Sequence, residues 1–214
     1  MTLAQCSGGF CRYHIVITLI TMLENLRKYK ILLGSKSPRR RELLSKLRLP
    51  FNVVTISNLE ESYPPTLKAA DVPEYLSLQK ASAYRDTIKD DEMVITADTV
   101  VILDDKIYGK PHNIEEAVEM LMTLSGRTHQ VVTGVTVSTC ERTVSFSCTT
   151  EVEFAELARE DAVYYVDTYH PLDKAGAYGI QEWIGCVAVK AIYGSYYNVM
   201  GLPVHQLYDV LKTF

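Results

Sequence analysis

Apolar residues fall in short runs along this chain, separated by stretches in which they recur every three or four positions. The runs at 30–34, 51–56, 93–103, 128–139, 143–154 and 185–193 are rich in Val, Ile, Thr or aromatics and predict strands. Asp104-Asp105 turns the long third run back into a short strand at 106–108. Helical spacing predicts helices over 38–48, about 72–89, 114–124, 159–168 and 203–213. Asp71-Val-Pro-Glu74 and Asn113-Ile-Glu-Glu116 each place a capping residue three positions before a glutamate, the capping-box arrangement. Helices alternate with strands early, while 128–154 reads as an antiparallel hairpin around Glu141-Arg142. The pattern predicts an α/β fold with a mixed sheet and flanking helices. No internal repeat, low-complexity tract or linker interrupts it.

The sharpest local signal is Ile31-Leu-Leu-Gly-Ser-Lys-Ser-Pro-Arg-Arg-Arg-Glu-Leu-Leu44. A buried strand stops at Gly34, Ser37 stands where an N-cap hydroxyl belongs, and Pro38 takes the first helical position. Leu43, Leu44 and Leu47 supply the apolar stripe of the helix that follows. Strand, turn and helix start aim unpaired backbone N–H groups and the positive end of a helix dipole at one point. Lys36, Arg39 and Arg40 add cations to the same turn, where a solvated helix start favours Asp or Glu. An anion is the missing partner, and arginine forks suit phosphate oxygens. A solvated basic helix start is the plain alternative.

Composition narrows the class. The 214 residues suffice for one large domain or two small lobes, and 47% hydrophobic with 22% charged residues is ordinary for a soluble protein. A net charge of −4 argues against a general nucleic-acid binder and makes the basic turn a local site. Five cysteines without CxxC spacing argue against a disulfide scaffold or structural zinc and fit a reducing, cytoplasmic setting. The apolar burst Ile15–Ile20 is too short to span a bilayer, and Met1–Arg12 lacks the basic flank of a secretory signal. Residues 1–21 read as an upstream in-frame extension, with Met22 as the functional start and 22–214 as the folded domain. A short membrane-surface anchor is the other reading of that segment.

Two further stretches carry chemistry. Asp98 sits inside Met93-Val-Ile-Thr-Ala-Asp-Thr-Val-Val-Ile-Leu103, where a carboxylate is costly to bury without a metal ion, a lysine or a catalytic water. A structural Asp capping a nearby loop is the alternative. Glu60 and Glu61, at a strand end, could share a divalent cation with Asp98 or form a solvated acidic loop. Lys80 on the 72–89 helix and Lys110 in Gly109-Lys-Pro111 could bring cations to the same place, or simply be exposed. Asp173-Lys-Ala-Gly-Ala-Tyr-Gly-Ile-Gln181 combines small residues that let backbone approach a flat ligand with a glutamine able to read a pyrimidine edge. His129 reads as a hydrogen-bonded structural histidine rather than a catalytic one. No Walker A, GxGxxG or HExxH motif is present.

Taken in order, Ser35-Lys-Ser-Pro-Arg-Arg40, Glu60-Glu61, Gln79-Lys-Ala81, Ala97-Asp-Thr99, Gly109-Lys-Pro111, Ser125-Gly-Arg-Thr-His129 and Asp173–Gln181 resemble the Maf family of nucleoside triphosphate pyrophosphatases. The resemblance runs from about residue 30 to the C-terminus. It implies a two-lobed, inosine-triphosphatase-like fold with a strongly twisted mixed sheet, and commonly a homodimer. It also implies hydrolysis of a nucleotide between the α- and β-phosphates, with Mg²⁺ or Mn²⁺ as cofactor. Asp98 falls where the family has its proposed proton acceptor, and Arg40, Thr99 and Gln181 fall where the dTTP/UTP branch has its specificity residues. On this reading Ser35, Arg39 and Arg40 hold the triphosphate. Lys80 and Lys110 offset charge on the departing pyrophosphate, and Glu60, Glu61 and Asp98 hold the metal. The partner is a small nucleotide, with neither nucleic acid nor membrane involved. A non-catalytic nucleotide sensor regulating cell division or septum formation is the competing class.

Overall fold

The structure, a computed structural model, describes residues 23–214 except Ser57, Asn58 and Glu60. The predicted extension 1–21 and the candidate ligand Glu60 therefore lie outside the described residues. Seven strands form one mixed sheet: β1 (Lys30–Gly34), β2 (Phe51–Val54), β3 (Glu92–Leu103), β4 (Lys106–Tyr108), β5 (Thr128–Ser138), β6 (Thr143–Phe154) and β7 (Val189–Tyr193). Their order is β2-β1-β3-β5-β6-β7, with β4 folded back on the end of β3. β1 pairs in parallel with β2 and with β3, and the other pairs are antiparallel. The α/β class and the mixed sheet follow the hydrophobic pattern.

Helices α1 (Pro38–Ser45), α2 (Val72–Ser82), α3 (Ile114–Leu124), α4 (Arg159–Tyr169), α5 (Trp183–Ala188), α6 (Tyr196–Val199) and α7 (Val204–Leu211) complete the regular structure. The main core joins Leu33, Leu43 and Leu44 to Met93 and Ile95 of β3, and to Leu121, Leu124, Phe154, Tyr165 and Leu207. Burying each such side chain stabilises the fold by about 1.5–3 kcal/mol. Asp104 and Asp105 turn β3 into β4 with φ of +51° and +59°, the left-handed pair that a two-residue hairpin turn needs.

Several boundaries differ from the pattern, each for a local reason. The helix predicted over 38–48 ends at Ser45, and a turn through Arg48 at φ +58° follows. The helix predicted over 72–89 stops at Ser82, where tight turns bring the Tyr84 hydroxyl to the Val54 carbonyl at 3.3 Å. The strand predicted over 51–56 ends at Val54. The strand predicted over 185–193 starts only at Val189, because Trp183–Ala188 form a short helix. Gly185 makes this possible because its bare Cα lies against the Ile180 backbone, where any side chain would collide. Asp71 caps nothing: a 3₁₀ turn, Ala69–Asp71, runs straight into α2, so Asp71 is already helical. Asn113 does cap α3, its Oδ1 accepting from the Glu116 N–H at 2.8 Å, but the Glu116 carboxylate turns back to the N–H of His112.

Gly134 fixes how the helical layer meets the sheet. It stands opposite Asp98 in the β3–β5 ladder, and the backbone of Pro73 and Glu74 rests directly on it. No side chain fits there. The close approach seats α2 across the middle of the sheet and brings Lys80, two turns along, over Asp98.

Candidate active site

The strand–turn–helix forms as its sequence implies. Ser37 caps α1 by accepting from the Arg40 N–H at 3.4 Å, Pro38 occupies the first helical turn, and the Ser35 hydroxyl accepts from the Ser37 N–H at 3.2 Å. This turn floors a cleft of about 710 Å³, a size suited to a small organic ligand. Asp98, Lys80 and Lys110 line it together with Lys174, Ala175, Tyr178, Gly179 and Gln181. Among the described residues six basic side chains and three carboxylates line it, in a chain whose net charge is −4. The cleft is cationic where the protein is not, which suits a compact polyanion.

Asp98 has found its partner in Lys80. The ammonium lies 2.5 Å from Asp98 Oδ1 and 3.0 Å from Glu61 Oε2, with both members of the closer pair largely shielded from solvent. Of the three partners that an aspartate in an apolar strand needs, this structure supplies the lysine. Glu61 and Asp98 each turn a carboxylate oxygen to the Lys80 ammonium, and hard oxygen donors of this kind are what Mg²⁺ or Mn²⁺ takes from a protein that leaves the other positions to phosphates and water. The donor set thus fits a divalent ion held by Glu61 and Asp98. Among the described residues no group of three acidic, His or Cys side chains could hold one unaided.

The two arginines of the turn are already engaged. Arg40 donates from Nε to the Gly201 carbonyl at 2.9 Å, from Nη1 to the Ala97 carbonyl at 2.7 Å and from Nη2 to the Thr99 hydroxyl at 3.1 Å. The Thr99 hydroxyl lies 2.9 Å from that of Thr133, which donates to the Asn198 carbonyl at 3.1 Å. Because Thr133 spends its one proton on Asn198, Thr99 must donate to Thr133 and accept from Arg40. The chain of bonds ties α1 to β3 on both sides of Asp98. Burial lowers the Arg40 pKa from its ordinary value, and the Asp98 charge offsets part of that. The fork expected to grip phosphate bidentately is spent on the protein itself, leaving two of its five N–H groups unassigned. Arg39 crosses the cleft to Asp173, with Nη1 2.8 Å from Oδ2. Lys36 and Lys110, both exposed, make no ion pair among the described residues and are the cations left for an incoming anion.

Gln181 also lines the cleft and is exposed. Beside it in sequence stands a polar cluster around the buried Lys174 and Tyr165 that sequence reasoning did not single out. Lys174 lies 2.9 Å from Asp173 Oδ1 and 3.2 Å from Glu182 Oε1, and the Tyr165 hydroxyl donates to Glu182 Oε2. Burial raises the Asp173 pKa, but hydrogen bonds from Lys174 and Arg39 outweigh it and hold the carboxyl below its ordinary value. Burial and the neighbouring Glu182 push the Tyr165 hydroxyl far up, so it stays a donor. The only signal in the sequence for this cluster was Lys174 beside Asp173 within the small-residue stretch. His129 lies outside the cleft lining. Its Nε2 pairs with the Tyr178 hydroxyl at 2.8 Å, Phe154 and Tyr178 pack edge-on against it, and burial holds its pKa down to about 4. It is a neutral structural side chain.

A cationic cleft over the inner strands of a mixed α/β sheet, with a carboxylate paired to a lysine, defines a protein built to take a phosphorylated small molecule. The chain belongs to the Maf family: the family model for Maf-like proteins matches residues 30–214. It is 58% identical over 191 residues to the dTTP/UTP pyrophosphatase of Phocaeicola vulgatus, an alignment covering 89% of this chain and 99% of that one. It is 56% identical over 195 residues to the dTTP/UTP pyrophosphatase of Porphyromonas gingivalis strain W83, covering 90% and 98%. The solved structure of the Staphylococcus aureus Ham1 protein aligns with 86% of this chain and 98% of its own, at 19% identity and a TM-score of 0.49.

Proposed function

We propose that this protein hydrolyses dTTP and UTP between the α- and β-phosphates, releasing the nucleoside monophosphate and pyrophosphate. The observation that carries the reading is the placement of Asp98. It is a carboxylate paired with the Lys80 ammonium in the lining of a cationic cleft that also holds the Gln181 amide. The names of the relatives support the substrate class. In the reaction the oxygen of a water bonds to the α-phosphorus and the α–β anhydride bond breaks. Pyrophosphate leaves with the bonding pair, and Asp98 takes the proton from the water. The Gly34–Ser37 turn, with Ser35 and Arg39, receives the phosphates, while Lys80 and Lys110 offset the charge that builds on the departing group. Arg40 and Thr99 act by holding β3, and Gln181 meets the base. A divalent ion held by Glu61 and Asp98, with Glu60 adjacent in sequence, would supply further charge neutralisation.

The reading includes a homodimer, which rests on the family resemblance, working in the cytoplasm, which the cysteine usage supports. Among the described residues no helix is long and apolar enough to cross a membrane. No observation favours a non-catalytic sensor, which would not need Asp98 and Lys80 paired inside the phosphate cleft. The test is pyrophosphate release from UTP with Mg²⁺ by the purified protein and by Asp98→Asn. The near-isosteric amide should cost at least about a hundredfold in turnover. Equal turnover would remove Asp98 from the chemistry.

A further inference from the structure

Gln181 has one polar partner among the described residues, the Glu182 carboxylate, whose Oε1 lies 3.5 Å from the amide Nε2. Glu182 itself is clamped. Lys174 holds Oε1 at 3.2 Å, and the fully buried Tyr165 donates its hydroxyl to Oε2. That hydroxyl accepts from the Gly179 N–H at 3.0 Å, so its single proton is committed to Glu182. Gly179 adds a second, independent constraint. A Cβ there would stand 2.8 Å from Glu182 Cδ and 2.9 Å from Gln181 Nε2. The bare Cα leaves room for the amide and the carboxylate in the same corner, where a side chain would push one of them aside.

We propose that Glu182 is a positioning residue that fixes which way the Gln181 amide faces, and thereby makes the cleft prefer uracil and thymine over cytosine. The inference rests on the dTTP/UTP reading above. An ionised carboxylate only accepts, so the amide must turn its nitrogen toward Glu182 and leave Oε1 for the ligand. Oε1 then takes the N3–H of uracil or thymine, and the second hydrogen of Nε2 meets the 4-oxo group. Cytosine presents an acceptor at N3 and a donor at C4, the reverse of both. Reading it requires the flipped amide, which sets Oε1 against the carboxylate. Without Glu182 an exposed amide turns freely and suits either base. Losing the Glu182 carboxylate, which repels the flipped Oε1 and accepts from Nε2 across 3.5 Å, corresponds to a change of about tenfold in preference.

Calorimetric binding of the α,β-methylene analogues of UTP and CTP reads this orientation independently of turnover. It is run on the full chain as wild type, Glu182→Gln, Gln181→Ala and Tyr165→Phe. The Glu182→Gln amide can pair with either face of Gln181, so the ratio of UTP-analogue to CTP-analogue affinity should fall about tenfold. Tyr165→Phe frees Glu182 Oε2 without changing any charge and should lower the ratio in the same direction, which keeps the test decisive if Glu182→Gln does not fold. Parallel loss of both affinities in Glu182→Gln, or a ratio equal to that of wild type, overturns the inference and leaves Glu182 a structural residue. A wild type that binds both analogues equally overturns it as well. If wild type releases no pyrophosphate from UTP yet the binding ratio collapses in Glu182→Gln, the catalytic reading fails and the positioning role stands. If Gln181→Ala loses the preference and Glu182→Gln keeps it, only the positioning role fails.

Discussion

Arg40→Lys separates two jobs that an arginine on a phosphate-binding turn can do. In this structure the guanidinium makes three hydrogen bonds of 2.7–3.1 Å to Ala97, Thr99 and Gly201. A lysine keeps the charge but replaces a planar fork with one point donor, which reaches one of these acceptors and leaves two unmet. Bonds from a charged donor contribute about 1.5–3 kcal/mol each, and relief of the desolvation that now lowers the Arg40 pKa offsets part of the loss. The net cost is roughly 2–4 kcal/mol, which for a domain of this size lowers Tm by about 5–15 °C. The assay is thermal unfolding without nucleotide, followed by kcat/KM for UTP on the same preparations. Both should fall, because the Ala97 and Thr99 contacts hold the strand on either side of Asp98. An unchanged nucleotide-free Tm together with a raised KM would refute the reasoning and return Arg40 to the substrate as a phosphate clamp.

His129 should make stability depend on pH. Its pKa lies near 4 in the fold against 6.5 when unfolded, so between those values the unfolded chain binds a proton that the folded chain refuses. Stability is therefore complete above about pH 6.5 and falls as pH drops toward 4, by up to about 3 kcal/mol from this group. Urea midpoints for wild type and His129→Gln at pH 7 and pH 4.5 check this, and equal pH dependence in the two proteins would count against it. Lys80→Met leaves Asp98 and Glu61 facing each other without their shared cation and should lower kcat/KM for UTP by at least about tenfold. Initial rates across UTP concentrations decide that, and wild-type values would remove Lys80 from the site.

What could be read from the chain was local or periodic. Ser37, Pro38 and the leucines of α1 lie within a few residues of the turn they build, and their preferences all point to one structure. Asp98 stood out because a carboxylate in an apolar strand demands a partner, and that partner is one of the two lysines singled out. The pairing itself depends on Gly134 admitting α2 onto the sheet, which no local signal shows. The contacts of Arg40 within the fold were hidden for the same reason. Its chemistry suits phosphate, but one acceptor, Gly201, is 161 residues away in sequence. The Lys174–Glu182–Tyr165 cluster joins α4 to the cleft through the left-handed turn at His170, φ +47°, and neither spacing nor periodicity announces it. The segment 183–188 carries strand-like residues yet coils, because the contact between Gly185 and Ile180 outweighs intrinsic preference.

The central claim is that water cleaves the α–β anhydride of a pyrimidine nucleoside triphosphate beside Asp98. Phosphorus NMR of a UTP digest with Mg²⁺ tests it directly, run in parallel with the Asp98→Asn variant. The account predicts UMP and pyrophosphate in equal amounts from wild type, and intact UTP from the variant over the same interval. UDP with inorganic phosphate, or UMP formed equally fast by the variant, would contradict it.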